Sequence, residues 1–233
     1  MRFETDASFL RYASLSRWCL VGKGDITRER IVAAAAPLFN QKGFVGCSMQ
    51  DIMAATGLEK GGLYRHFSSK EELAAEAFRF AHARSARTRT DDLDPSLSPL
   101  DRLRAAITRF VEYQSALPGG CPVMNTAIDA DDSNAALREL ALEAFTNWRR
   151  RLAAIVREGM RAGQICSEIE PRQVANTVVA TLEGALMLSR LEGTRTSLRD
   201  AAISLNTLLN SLEVSPTAPR RARAKRTART IGM

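Results

Sequence analysis

No apolar run in these 233 residues approaches the roughly 18 that a membrane-spanning helix needs. The opening stretch MRFETDASFLRYASLSRWCL carries early acids and polar residues throughout, so it lacks the apolar segment of a secretory signal. Cysteine is scarce: four residues, Cys19, Cys47, Cys121 and Cys166, lie far apart with no CxxC pair. That excludes a disulfide scaffold, argues against structural zinc, and fits a reducing, cytoplasmic setting. The two histidines, His66 and His82, sit in unrelated places, and no phosphate-cradling loop or metal-ligand spacing occurs. No catalytic residue, metal or cofactor is therefore expected. Acid pairs such as Asp131-Asp132 fall at turns, where solvation and capping explain them. Aromatics are few, at 6%, and strand-type alternation is nearly absent, which leaves an all-α fold.

What is present is basic charge, unevenly placed. The formal charge is +7, and from Pro216 onward Arg220, Arg221, Arg223, Lys225, Arg226 and Arg229 occur with no acid. This Pro-, Ala-, Thr- and Arg-rich stretch cannot bury a core and is expected to be disordered. It reads either as a solvated tail or as a non-specific phosphate-binding arm.

Helical periodicity dominates the rest. Ile31, Ala34, Ala35, Leu38 and Phe39 are spaced for one buried stripe, which Gly43 ends as a left-handed cap. Ser48 opens a short helix with Asp51 three residues on, a capping-box pattern, and Gly57 stops it. A third short helix is predicted from about Lys60 to Phe67. Ser69 and Glu72 open a long fourth one that carries Leu73, Ala77, Phe80 and Ala81. Beyond a two-proline loop, DDLDPSLSPL, further helices are expected at about 98–117, 122–131, 134–162, 171–191 and 197–212, with Pro118-Gly-Gly120, Gly163, Pro171 and Gly193 as punctuation.

Two short helices joined by a glycine-containing turn match the helix-turn-helix, whose second helix enters the DNA major groove. The stretch IVAAAAPLFNQKGFVGCSMQDIMAATGLEKGGLYRHFSSKEEL resembles the DNA-binding domain of the tetracycline-repressor (TetR) family. Ala35, Leu38, Phe39, Gly43, Phe44, Asp51-Ile52, Gly57, Lys60-Gly61, Leu63-Tyr64, His66-Phe67 and Ser69 to Leu73 carry the likeness, over about a fifth of the chain. Helix N-termini at Ser48 and Ser69 are natural phosphate seats. Lys70 opposes the dipole of its own helix, which is explained if it meets a phosphate. Gly61 and Gly62 each cost about 1 kcal/mol of helix stability against alanine, sensible where backbone approaches DNA. Lys60 and Arg65 are the candidate base or phosphate contacts. The resemblance implies that Tyr64 points at the DNA backbone while Phe67 packs inside, and that His66 helps to hold that backbone. Some positions depart from the family pattern: Glu59 stands where a small hydroxyl is usual, Gly62 for Ser, Thr or Ala, and Cys47 for Thr. Pro37 interrupts the first helix.

The resemblance further implies an all-α chain in which a three-helix DNA-binding domain, residues 23–72, precedes a ligand-binding and dimerisation domain, residues 73–212. Residues 1–22 are a flexible extension and 213–233 the basic tail. Phe110, Tyr113, Met124, Asn125, Phe145, Trp148 and Met187 are candidate lining for an effector cavity, with Tyr113 and Asn125 as polar anchors. Small residues Ala180 and Gly184, with Leu188, Leu205 and Leu209, are the candidate dimer face, although burial within one subunit would also explain that stripe. Cys121, just before a helix start, admits a redox role, but a buried small hydrophobe accounts for it better. The function implied is a homodimeric repressor on a palindromic DNA operator, released by an unidentified small-molecule effector. The alternatives are an architectural DNA binder without effector, or a regulator acting through Cys121.

Overall fold

The computed structural model describes residues 23–87, 93–112 and 117–214. The opening extension, Tyr113 and the basic residues from Arg220 lie outside the described residues. Those described form nine helices: α1 (Lys23–Gly46), α2 (Met49–Thr56), α3 (Lys60–Tyr64), α4 (Lys70–Ala86), α5 (Pro99–Glu112), α6 (Pro122–Ala130), α7 (Ala135–Arg161), α8 (Pro171–Glu192) and α9 (Thr196–Leu212). The fold is all-α.

Local signals set most boundaries. Ser48 caps α2 in a full capping box with Asp51, and Gly57 closes it at φ 70, ψ 15. Prolines occupy the first turns of α6 and α8, where their missing N–H has no helical partner to lose. Three expectations need correction. Gly43 interrupts α1 at φ 74, ψ 173, a positive-φ geometry outside the left-handed helical region and essentially reserved for glycine, and a further turn follows before α2. The third helix stops at Tyr64, and Arg65 to Phe67 complete a turn outside it. The chain also remains ordered past Leu212. Val214 N–H donates to the Gln164 carbonyl at 2.9 Å, Cys166 N–H donates to the Leu212 carbonyl at 2.9 Å, and Glu213 pairs with Arg104 at 2.9 Å.

Helices α1 to α4 close on Ile31, Ala35, Ile52, Leu63, Phe67 and Leu73. Each fully buried Ile or Leu contributes about 1.5–3 kcal/mol. A second core joins α5, α7, α8 and α9 through Ile107, Leu152, Val156, Val178, Leu182, Leu205 and Leu209. Leu205 and Leu209, expected at a dimer face, are 2% and 0% exposed within one chain. Their stripe is covered by the chain's own helices, so the expectation is corrected. The face of α8 that does look outward carries Ala180, Gly184, Met187, Leu188 and Leu191. Between the cores, α4 faces both ways: Leu73, Ala77 and Ala81 join the first cluster, whereas Phe78 packs with Cys121, Val123, Ala141 and Ala144.

Candidate nucleic-acid interface

The α2–α3 unit presents polar side chains over a buried floor. Leu63 and Phe67 are 1% and 2% exposed, whereas Tyr64, the last residue of α3, is 42% exposed. Lys60, Tyr64 and Arg65 are all open to solvent, with the Lys60 ammonium 5.9 Å from the centre of the Tyr64 ring. A side chain added at Gly61 would meet nothing, and one at Gly62 only Leu58 at van der Waals distance. Internal packing thus demands neither glycine.

At the head of α2 the Ser48 N–H and hydroxyl both donate to Asp51 Oδ2 at 2.8 Å, and Lys42 Nζ sits 2.6 Å from Asp51 Oδ1. The Lys42 hydrogen bond, with those from Ser48, holds the Asp51 carboxyl well below the usual carboxylate range. Ser48 is therefore committed to the cap, and the free N–H groups offered here are those of α2's own first turn. Lys70, in the first turn of α4, curls over the Phe44 ring at 4.5 Å. His66 is half-buried, and its carbonyl accepts from Arg28 Nη1. Arg28 also stacks on the Phe67 ring at 4.1 Å and donates to Glu72 Oε1 at 2.9 Å, which pulls the Glu72 carboxyl down to about 2. Sequence reasoning missed Arg28. Its partners lie 38 and 44 residues away, and no local pattern marks it.

The unit is fastened to the second bundle by polar contacts at the end of α1. Asn40, 8% exposed, donates to the Pro118 carbonyl at 2.8 Å. Asn125 of α6 donates to the Asn40 side-chain oxygen at 3.0 Å and to the Gly119 carbonyl at 2.7 Å. Asp129, also on α6, accepts from the Phe44 N–H at 2.6 Å. Asn125 was expected to anchor an effector. Its amide is instead consumed in holding α6 to α1, which corrects that assignment.

Comparison with known proteins accounts for both halves. Residues 31–77 match the family model described as bacterial regulatory proteins, tetR family, and residues 99–205 match the tetracyclin repressor-like C-terminal domain. A TetR transcriptional regulator from Chloroflexus aurantiacus J-10-fl is 42% identical, with a TM-score of 0.78, covering 82% of this chain and 98% of that one. This chain belongs to the TetR family. A TetR-family regulator from Cytophaga hutchinsonii is 31% identical with a TM-score of 0.79, over 84% of this chain and 99% of its own. The HTH-type transcriptional repressor DhaR of Mycobacterium sp. (strain GP1) is 28% identical over 170 residues, 72% of this chain and 84% of that protein. The protein is accordingly a helix-turn-helix transcriptional regulator, from a family of regulators and not of enzymes.

In this TetR-family chain a cavity of about 60 Å³ opens between α4, α6 and α7. Its walls are His82, Ser85, Ala86, Cys121, Val123, Ala144, Asn147, Trp148 and Arg151. Burial, and then the Arg151 charge, push the His82 pKa below its ordinary value. Of the predicted lining residues that the structure describes, only Trp148 lies on this wall. Phe110 and Phe145 stack behind it at 5.6 and 6.4 Å. Met124 is half-buried in the cluster around Phe78. Met187 is 44% exposed on α8 and leaves the list. The polar wall went unrecognised because His82 and Ser85 belong to a helix whose pattern reads as a plain connector. Cys121 is 2% exposed at the head of α6. A second, smaller cleft of about 30 Å³ lies at the junction, bordered by Phe39, Asn40, Phe44, Asn125 and Asp129.

Proposed function

We propose that this regulator is a cytoplasmic homodimeric repressor that leaves a palindromic operator when a small molecule fills the cavity between α4, α6 and α7. Residues 23–72 act as the DNA-binding unit and 73–212 as the regulatory and dimerising one, with α4 shared. The observation that carries the reading is the double duty of α6. Its first residues wall the cavity through Cys121 and Val123. Its Asn125 and Asp129 grip α1. A molecule that displaces α6 must strain or release that grip and so reorient α1 with the α2–α3 unit it supports. An effector acts only through such a difference in affinity between two states. Dimerisation is supported by the outward face of α8, where Leu188 and Leu191 are 45% and 79% exposed beside Ala180 and Gly184. Contiguous apolar surface of that kind marks interaction sites.

On DNA, Tyr64, Lys70, His66 and the first turn of α2 behind Ser48 hold phosphates. Lys60 and Arg65 reach base edges, while Gly61 and Gly62 let the backbone approach. Tyr64→Ala and Lys70→Ala are expected to weaken binding to every duplex alike, because phosphate contacts position without reading sequence. Arg65→Ala is expected to cost about 1–3 kcal/mol and to relax sequence preference as well. The check is a titration at fixed salt against a duplex selected from a random pool, and against the unselected pool. Wild-type affinity in all three variants would remove α3 from the DNA. Repeating the selection with metabolite pools present tests the effector: a pool that changes no complex would leave an architectural binder.

A further inference from the structure

The wall of the cavity between α4, α6 and α7 sets a charge, a size and a shape for what fills it. Arg151 is its one Lys or Arg, and no Asp or Glu occurs among the described residues of the wall. Arg151 is also exposed, so it stands where the cavity meets solvent. At His82 the Arg151 charge acts more strongly than the opposing charge of Glu143. Asn147 Oδ1 accepts from Arg150 Nη1 at 3.3 Å, which leaves the Asn147 NH2 group as the donor it can offer a ligand. The cavity is therefore positive at its mouth and carries an amide donor on the same helix.

The rest of the wall is apolar and stiff. Trp148 belongs to a near-parallel aromatic stack, 5.6 Å from Phe110 and 6.4 Å from Phe145, which fixes its ring. His82 is held likewise, its imidazole stacked on Phe78 at 5.9 Å. Val123, Ala144 and Ala86 complete the surface without a polar side chain. A volume of about 60 Å³ takes about four to six waters, and hence a molecule of fewer than about ten non-hydrogen atoms. We infer that the effector is a small organic monocarboxylate, its carboxylate held by Arg151 with Asn147 and its short apolar or aromatic body lying against Trp148. The inference rests on the reading that a molecule filling this cavity releases the operator.

Other classes of small molecule fit the wall less well. A cation meets the Arg151 charge with no acid on the wall to offset it. A purely apolar molecule sets carbon against His82 and Asn147, and polar groups buried without a partner are costly. A dicarboxylate leaves its second charge against Trp148, Val123 and Ala144. An inorganic anion satisfies Arg151 and leaves the apolar surface unfilled. A carboxylate, by contrast, pairs with a guanidinium through two parallel charge-assisted hydrogen bonds, the strongest polar contact this wall can make.

The test uses the full chain with Trp18→Phe, which leaves Trp148 as its only tryptophan and its fluorescence as the binding signal. Benzoate, benzamide and benzamidine offer one shape as anion, neutral molecule and cation. Butyrate and butyramide repeat the comparison on a smaller body. Each carboxylate is expected to bind at least about tenfold more tightly than its amide, and benzamidine not to bind. Arg151→Gln is expected to abolish that preference. Arg157→Gln makes the same change of net charge at an exposed position of α7 outside the wall, and is expected to keep it. The amide comparison needs no substitution at Arg151, so it holds even if that variant folds poorly. An amide or amidine that binds as tightly as its carboxylate would overturn the inference. So would a preference that survives Arg151→Gln, or the absence of binding by either carboxylate at millimolar concentration. Release of a selected duplex is measured with the same compounds. If a neutral or cationic compound releases it, the ligand class falls and the operator reading stands. If a carboxylate binds through Arg151 and the duplex complex is unchanged, the ligand class stands and release through this cavity falls.

Discussion

Gly43→Ala is expected to destabilise the protein by about 2–6 kcal/mol and to loosen the DNA-binding unit from the regulatory bundle. Two separate costs meet at this residue. Its backbone, at φ 74 and ψ 173, lies in a region essentially reserved for glycine, where a side chain costs about 1–3 kcal/mol. A Cβ built there would also sit 2.5 Å from Asp129 Oδ1, too close for any real contact. The Asp129 carboxylate must then withdraw, although its other oxygen accepts from the Phe44 N–H at 2.6 Å. Leaving that partly buried donor unpaired adds about 1–3 kcal/mol. For a chain of this size the sum corresponds to a fall of about 4–24 °C in Tm. Gly57→Ala is the control, because Gly57 also has positive φ, at 70°, but open space around it. It is expected to cost only about 1–2 kcal/mol and to leave the junction intact. Calorimetry of both variants decides, together with the effector response of whatever DNA complex each forms. A Gly43→Ala protein with wild-type Tm would show that the α1–α6 junction stores no such constraint.

That junction also marks where sequence reading stopped. Helix ends were legible because their causes are local: Ser48 with Asp51, Gly57, Pro122, Pro171 and Gly193 each act within one turn. Tyr64 outward and Phe67 inward followed from family likeness, and the exposures of 42% and 2% agree with it. Arg28, Asn40 and Asp129 were invisible because their partners lie 38 to 85 residues away, and a polar residue on a helix carries no mark of what it will meet. The same blindness hid the polar cavity wall. His82 and Ser85 on α4 look like solvent-facing positions until α6 and α7 close over them. Periodicity picked out apolar positions on α8 and α9. It could not say whether a stripe is covered by its own chain or by a second one.

The last expectation turns that ambiguity into a measurement. Leu209 is fully buried among α5, α7, α8 and α9, so Leu209→Ala removes packed atoms and leaves a hole in the chain's own core. Such truncations cost about 2–5 kcal/mol. Gly184, on the outward side of α8, is the opposite case: a Cβ added there meets nothing within 4 Å among the described residues. Gly184→Leu should fold without strain and gain up to about 1 kcal/mol in helix propensity. Between two chains brought together along α8, however, the added leucine would hold the helices apart. Leu209→Ala is therefore expected to lower the Tm by about 4–20 °C while the mass by light scattering stays that of a dimer. Gly184→Leu is expected to give monomers with intact helicity and weakened binding to a palindromic site, since each monomer then engages one half-site alone. The two substitutions thus separate core from interface on neighbouring helices. Monomers from Leu209→Ala without loss of stability would return α9 to the interface, and an unperturbed dimer from Gly184→Leu would move the two-fold contact away from this face of α8.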